Sequence, residues 1–115
     1  MYKFSYDDII DDGGAAARAS ERQALLHSLK LLRDADAINA RPTDKYEALV
    51  FINSLWSFLL EDLAKAENTL PDDLRAKLIS IGFWILRETE AIGNRSSINF
   101  QGLIEVTEMI ADGLQ

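Results

Sequence analysis

The sequence predicts an all-α protein, a compact bundle of about four main helices preceded by a short N-terminal helix or arm. Four segments carry apolar residues at helical spacing, and short polar breaks with proline, glycine or asparagine separate them. Of the residues, 48% are apolar and 27% are charged, as in ordinary globular proteins. A chain of 115 residues has the size of one domain, so we expect a single helical domain over residues 1–115.

The N-terminal segment, MYKFSYDDIIDDGG, is the element whose conformation the pattern leaves open. Tyr2, Phe4 and Tyr6 alternate as in a strand. The two tyrosines also fit one or two helical turns together with Ile9 and Ile10. Because no partner strand is predicted elsewhere in the chain, a short helix or an ordered arm is favoured over a sheet for residues 1–14.

The first long helix is predicted over about residues 15–38, with Asn39 and Pro42 ending it. Leu25, Leu29 and Leu32 have the spacing that lines up one helix face. Charged residues fall largely off this stripe, which predicts an outer helix with one solvated side. These residues are Arg18, Glu21, Arg22, Lys30 and Arg33.

The second helix follows Pro42, with Thr43 expected as its N-cap and Asp44 placed favourably for the helix dipole. Its sequence, YEALVFINSLWSFLLEDL, is apolar over most of the helix circumference. A helix of this kind either lies in the centre of a bundle or keeps a surface for a partner. One continuous polar stripe is formed by Glu47, Ser54, Ser57 and Glu61.

The third helix begins within ENTLPDDLRAKLISIGFWIL, where Thr69 and Asp72 resemble a capping box and Pro71 suits the first turn. Asp73 adds a second negative charge near the positive end of the dipole. Two apolar stripes follow, so we expect this helix to pack against two surfaces. The stripes are Leu74, Leu78, Ile81 and Ile85, and Ile79, Phe83 and Leu86.

The fourth helix is separated from the third by Gly93-Asn94, where a residue that tolerates the left-handed conformation is expected to end the third helix. It begins at about residue 97 or 99 and continues to residue 114. One apolar face is predicted, formed by Leu103, Val106, Ile110 and Leu114.

The charge and composition exclude several classes of function. A net charge of −7 argues against general affinity for nucleic acid or anionic lipid, which require clustered lysine and arginine. The absence of cysteine excludes disulfides and thiolate metal sites. No segment approaches the ~18 apolar residues of a membrane span. The N-terminus MYKFSYDD is followed by acidic residues, at the place where a signal peptide would have an apolar segment. The sequence therefore predicts a cytoplasmic protein that contacts no membrane.

Catalytic, cofactor and metal sites are not predicted. His27 is the only histidine, and a lone histidine without cysteine or a second histidine nearby is more often a helix-surface residue than a metal ligand. DDIIDDGG fails as a calcium loop because Ile10 and Ala19 stand at ligand positions. The acidic pairs at residues 61–62 and 72–73 lie at helix ends, where the helix dipole and solubility explain them. We expect a non-enzymatic protein.

The middle helices carry a surplus of large apolar residues. This surplus has two interpretations. In one, all of them form the core. In the other, the bundle leaves part of this surface uncovered as a groove for a partner helix. The residues concerned are Phe51, Trp56, Phe58, Phe83 and Trp84.

Residues 53–92, NSLWSFLLEDLAKAENTLPDDLRAKLISIGFWILRETEAI, resemble the FlaF family of flagellin-synthesis regulators of flagellated alphaproteobacteria. The shared features are the Leu55-Trp56 pair, Asp62-Leu63-Ala64, the run Asn68-Thr69-Leu70-Pro71 and Ile79-Ser80. The ends of the chain, MYKFSY and GLIEVTEMIADGL, match in kind. Where the family often has Ile-Asn-Arg in the last helix, this chain has Val106-Thr107-Glu108, so any role of that asparagine is not carried over.

The resemblance implies a cytoplasmic flagellin chaperone that promotes flagellin synthesis and export and opposes FlbT, a regulator that restrains flagellin translation. The alternative is post-transcriptional regulation of flagellin mRNA, directly or through FlbT, without chaperone activity. A groove between the second and third helices would cover a flagellin helix, with Trp56, Phe83 and Trp84 as anchors. The candidate partner-binding residues are Leu55, Trp56, Leu59, Ile79, Phe83, Trp84 and Leu86.

Overall fold

The computed structural model describes the backbone of residues 14–113 and the side chains of residues 19–113. This part of the chain contains four α-helices and no strand, which confirms the predicted fold class. The predicted N-terminal arm, apart from Gly14, and Leu114 lie outside the described residues. The helices are α1 (Gly14–Asp36), α2 (Pro42–Ala64), α3 (Asp72–Gly93) and α4 (Phe100–Gly113).

The four helices form an elongated bundle of 44 × 23 × 21 Å. Helix α1 packs against both α2 and α4, and α2 packs against both α1 and α3. By contrast, α3 and α4 contact each other little, so the seam between them is the weakest of the bundle. Helix α1 is therefore as central as α2, although Lys30 and Arg33 do give it an exposed, charged side.

The core is built from the predicted apolar faces. The leucine stripe of α1 is fully buried, with Leu25, Leu29 and Leu32 at most 5% exposed. Helix α4 turns Phe100, Leu103 and Thr107 inward rather than Val106 and Ile110, which are half-buried at the edge. The predicted polar stripe of α2 is exposed along its whole length.

The N-terminus of α2 differs from the prediction by two residues, because Arg41 and not Thr43 is the N-cap. The Asp44 carboxylate accepts a hydrogen bond from the backbone N–H of Arg41 (2.9 Å) and a second one from its guanidinium (3.1 Å). The side chain of Asp44, in the first turn, therefore pairs with the backbone N–H of the N-cap residue, and Thr43 does not cap the helix.

The N-terminus of α3 also differs, because Pro71 occupies the N-cap position and Thr69 lies outside the helix. Asn68 organises the preceding loop instead. Its side-chain oxygen accepts the N–H of Leu70 at 3.0 Å, and its Nδ2 donates to the backbone oxygen of Asp62 at 3.2 Å. This local turn replaces the predicted capping box between Thr69 and Asp72.

The connection between α3 and α4 caps the end of α3 with backbone hydrogen bonds and the start of α4 with a side chain. After Gly93, the N–H groups of Arg95 and Ser96 donate to Ile92 and Ala91, the hydrogen-bond pattern of a Schellman motif. The left-handed residue is Arg95, with φ 67°, not Gly93 or Asn94 as predicted. Asn99 then caps α4 by accepting the N–H of Gly102 at 3.0 Å.

Two helix C-termini receive an arginine from another helix. The guanidinium of Arg75 on α3 donates twice to the backbone oxygen of Leu63 on α2, at 2.9 and 3.1 Å. Arg22 on α1 donates to the oxygen of Ala111 on α4 at 3.2 Å. Cations at these positions satisfy carbonyl groups that lack partners within the helix and oppose the negative end of its dipole.

Candidate partner-binding groove

An apolar groove of about 350 Å³ opens at one end of the bundle, and all four helices contribute to it. We call it the end groove. Its walls are formed by the C-terminal half of α2, the N-terminal half of α3, the C-terminal end of α4 and part of α1. Its lining includes Trp56, Leu63, Leu74, Lys77, Ile81 and Met109.

The end groove follows from the weak seam between α3 and α4. The two helices are joined by residues 94–99, and the groove is lined by Leu74, Leu78 and Ile81 of α3 and by Met109, Ile110 and Gly113 of α4. These residues lie on the parts of both helices that are distant from the connection in sequence. Within residues 19–113, no further helix covers the apolar stripe of α3 at this end.

The floor of the end groove is formed by residues that belong to the core. Trp56 of α2 and Leu25 of α1 are each 1% exposed and both contribute to the lining. The indole Nε1–H of Trp56 is buried, and no atom of residues 19–113 accepts a hydrogen bond from it. A buried donor of this kind is costly to leave unsatisfied.

The rim combines exposed apolar side chains with few charges. Leu74 is 42% exposed and Met109 is 60% exposed, so both add apolar surface at the edge of the groove. The charged residues among the lining are Glu21, Asp62 and Lys77. The rim is therefore suited to an amphipathic segment with an apolar face and charges along its edges.

The seven candidate residues from the sequence do not lie together. Leu55 is buried in the core at 3% exposure, while Trp56 and Leu59 line the end groove. Phe83 is 55% exposed, on the side of α3 away from the groove lining. The remaining three, Ile79, Trp84 and Leu86, are half-buried.

The two predicted stripes of α3 therefore have different surroundings. The first stripe contributes Leu74, Leu78 and Ile81 to the end groove and Ile85 to the core. The second stripe, with Phe83 at its centre, contributes nothing to the groove. It remains a second partly exposed apolar strip on the same helix.

Sequence reasoning missed the contribution of α4 and of the loop before α3. Met109 and Ile110 of α4 line the groove but are distant in sequence from the middle helices, while Leu70 belongs to the loop that joins α2 and α3. The one available signal was the first stripe of α3, which required a packing partner. The sequence could not show that this stripe faces an open groove instead of another helix.

The ionisable groups of the described residues supply no arrangement for metal binding. No group of three or more histidine, cysteine, aspartate or glutamate residues between residues 19 and 113 could hold a metal ion. His27 is exposed and contacts Phe51 edge to face, with ring centroids 4.8 Å apart. At the start of α2, hydrogen bonds from the Arg41 side chain lower the pKa of Asp44.

The hydrophobic helices of the described part are not membrane spans. None of the helices between residues 14 and 113 combines the length and apolarity needed to cross a bilayer.

Comparison with known protein families gives a match over nearly the whole chain. The sequence model of a family described as flagellar protein FlaF matches residues 2–114, which is nearly the whole chain. No curated protein matches the chain, and no solved structure does.

Proposed function

Because the chain belongs to the FlaF family of flagellar proteins, with a role in flagellar biosynthesis, we propose that it binds flagellin as a cytoplasmic chaperone. In this proposal it promotes flagellin synthesis and export and opposes FlbT. The terminal helices of a filament subunit have apolar faces that pack together in the filament. Before export these faces need temporary cover, which a groove on a small acidic protein supplies.

The end groove is the observation that carries this proposal. Its volume of about 350 Å³ lies in the range of small binding pockets, and its walls are mostly leucine, isoleucine, methionine and tryptophan. Leu74 and Met109 are exposed at its rim, where a bound helix would bury them. Burial of this surface contributes roughly 25 cal/mol for each Å² removed from water.

The charge of the protein is compatible with holding a helix and disfavours direct binding to mRNA. A net charge of −7 repels both other copies of the chaperone and a polyanion. The groove lining contains one cation, Lys77, and two carboxylates, those of Glu21 and Asp62. We infer that a partner helix presents basic residues at the edges of its apolar face.

The test is a binding titration of the purified protein with monomeric flagellin, with charge substitutions that report the location. Leu74→Glu and Met109→Glu change exposed groove residues, so the fold should survive. Val50→Glu is the matched control, because Val50 is 45% exposed, much like Leu74, and does not line the groove. Circular dichroism verifies the fold of each variant.

We expect the groove variants to weaken flagellin binding at least about tenfold, the cost of placing a charge against an apolar face. Val50→Glu should bind as the wild type does. Phe83→Glu tests the second stripe of α3, and a loss confined to this variant would move the site there. If the wild-type protein forms no complex at micromolar concentrations, while it binds the flagellin transcript in a salt-dependent manner, the regulator without chaperone activity is the better description.

A further inference from the structure

We propose that the end groove recognises one short stretch of a partner helix, namely two large apolar side chains one turn apart with a basic residue beside them. The proposal rests on the proposed function, because it takes the end groove as the docking surface. It goes further by giving the length, the spacing and the charge of the bound segment. It does not require the partner to be flagellin.

The walls of the end groove are only about two helical turns long. The lining residues of α3 lie within residues 74–81, and those of α2 lie within residues 56–63. At a rise of about 1.5 Å per residue, each of these walls is about 10 Å long. The wall that α4 supplies, within residues 109–113, is shorter. A helix that lies along these walls therefore contacts them over about seven of its residues.

The volume of the end groove limits how many side chains enter it. An apolar cavity of about 150 Å³ holds one benzene molecule, so the volume of about 350 Å³ accommodates about two groups of that size. Side chains at positions i and i+4 of a helix lie on one face, about 6 Å apart, and both fit within the length of the walls. A third side chain at i+7 reaches the end of the walls. The groove therefore selects a pair of large apolar side chains and not a long stripe.

The composition of the walls favours a helix over an extended segment. An extended segment needs hydrogen-bond partners for its backbone N–H and C=O groups, whereas a helix pairs these groups internally. Most of the described lining residues are leucine, isoleucine, methionine or tryptophan, and they offer no such partners. The polar Asn68 is already hydrogen-bonded to Asp62 and to the N–H of Leu70. An extended segment would therefore leave backbone groups unpaired against these walls.

The charges around the end groove favour a basic residue beside the apolar pair. Asp62 lines the groove, and the exposed Asp73 and Asp112 are each one residue away from a lining residue. Among the described lining residues, Lys77 is the only cation. The two arginines next to the groove already donate to backbone oxygens at helix C-termini. Although each exposed ion pair is weak, lysine or arginine on the partner is therefore favoured over glutamate or aspartate.

Synthetic peptides test the proposal without flagellin. Each peptide has about 16 residues, long enough for partial helix formation in water, and consists of alanine, glutamine and lysine with added leucines. The first peptide has two leucines four positions apart, on one face. The second has the same composition with the leucines two positions apart, on opposite faces. The third has four leucines along one face. Fluorescence anisotropy of the dye-labelled peptides measures their binding to the full-length protein.

We expect the first peptide to bind at least about tenfold more tightly than the second, because only the first buries both leucines in the groove. The third should gain less than about tenfold over the first, because its additional leucines extend beyond the walls. Equal binding of the first two peptides would overturn the proposal, and so would no binding of the first at millimolar concentration. A larger gain for the third would overturn the limit of two turns.

The location of the bound peptide is tested with the groove variants. Leu74→Glu and Met109→Glu should weaken binding of the first peptide at least about tenfold. Val50→Glu should leave it unchanged, because Val50 does not line the groove. Binding that survives both groove variants and is lost in Phe83→Glu would place the peptide on the second stripe of α3 and overturn the proposal.

A fourth peptide, with glutamate in place of the lysines of the first, tests the basic residue. We expect it to bind about fivefold more weakly at low salt, with a smaller difference at high salt. Asp73→Asn with Asp112→Asn should reduce this preference to about twofold. Glu47→Gln with Glu90→Gln is the control, since both residues are exposed outside the groove and the change in net charge is the same. Equal effects of the two double variants would assign the preference to net charge and overturn the basic residue.

These measurements separate the proposal from the proposed function. If the first peptide binds in the end groove and monomeric flagellin does not bind, the chaperone function is overturned and the recognition of a short helical segment is kept. If flagellin binds and the groove variants weaken it, while the first and second peptides bind equally, the chaperone function is kept. The selection of two apolar side chains one turn apart is then overturned.

Discussion

Gly82 of α3 lies directly against the indole ring of Trp56 on α2. A Cβ atom at position 82 would come within 2.9 Å of Trp56 Cε3 and within 2.8 Å of Leu60 Cδ2. A glycine inside a helix costs about 1 kcal/mol relative to alanine. Here the missing side chain permits the close approach of α2 and α3, which fixes the wall and the floor of the end groove relative to each other.

We expect Gly82→Ala to lower the free energy of unfolding by about 1 kcal/mol, because overpacking of ~1–3 kcal/mol exceeds the gain in helix propensity. Leu60 can adjust its flexible end, but the Trp56 ring is rigid. Gly93→Ala is the matched control, since a Cβ there meets nothing within 4 Å. Urea denaturation measures both variants, and a Gly82→Ala protein as stable as Gly93→Ala would refute the close contact.

Arg95 has a left-handed backbone that glycine adopts without cost. Its φ of 67° places a bulky residue at the position after the helix cap where Schellman motifs usually have glycine. We expect Arg95→Gly to raise the free energy of unfolding by about 0.5–1 kcal/mol. Arg95→Ala removes the same side chain but keeps the strained backbone, so it should not be stabilising. Thermal or urea denaturation compares the two, and equal effects would mean that the side chain matters and not φ.

The fold was predictable from the sequence because the apolar periodicity of each helix and the residues that end it are visible within a short stretch of sequence. The leucine stripe of α1, the end of α3 at Gly93 and the exposed polar stripe of α2 all follow from spacing. Helix starts were less accurate. Arg41 and Pro71 are poor N-cap residues by preference, and the local hydrogen bonds of Asp44 and Asn68 replace the expected capping at Thr43 and Thr69.

The candidate site was predictable only in part because it depends on how the helices pack. Of the seven candidate residues from the sequence, Trp56 and Leu59 are in the groove lining. Periodicity does not show which stripe of α3 faces the weak seam with α4. For this reason Leu74, although part of a predicted stripe, and Met109 were not among the candidate residues, while Leu55 is a core residue.

Asp44 is expected to titrate at lower pH than an isolated aspartate. Hydrogen bonds from Arg41 stabilise its carboxylate and lower its pKa below the ordinary value. The resulting stabilisation is present above the ordinary pKa of about 3.9 and is lost as the pH falls through the lowered pKa. Carboxyl-carbon NMR titration measures this, and Arg41→Ala should return the pKa of Asp44 toward its ordinary value. No change in this variant would show that Arg41 is not the cause.

Arg75 is expected to stabilise the hairpin of α2 and α3 next to the end groove. Its guanidinium donates two hydrogen bonds to the Leu63 oxygen, at a carbonyl that lacks a helical partner. Arg75→Ala should lower the free energy of unfolding by about 1–2 kcal/mol. Arg87→Ala, an exposed arginine on the same helix, should change it by less than about 0.5 kcal/mol. Equal losses in urea denaturation would assign the effect to helix propensity or net charge.

Asn99 has two separable roles, and substitution by serine distinguishes them. Its Oδ1 accepts the N–H of Gly102 at the start of α4, while its Nδ2 donates to Glu88 Oε2 of α3 at 2.9 Å. Asn99→Ala should lower the free energy of unfolding by about 1 kcal/mol through loss of the cap. Serine caps a helix about as well as asparagine, but its shorter side chain is not expected to reach Glu88, so Asn99→Ser isolates the link between α3 and α4. We expect Asn99→Ser to retain most of the stability, since an exposed link contributes at most ~1 kcal/mol. If urea denaturation shows serine to be as destabilising as alanine, the link to Glu88 and not the cap holds this end of the weak seam together.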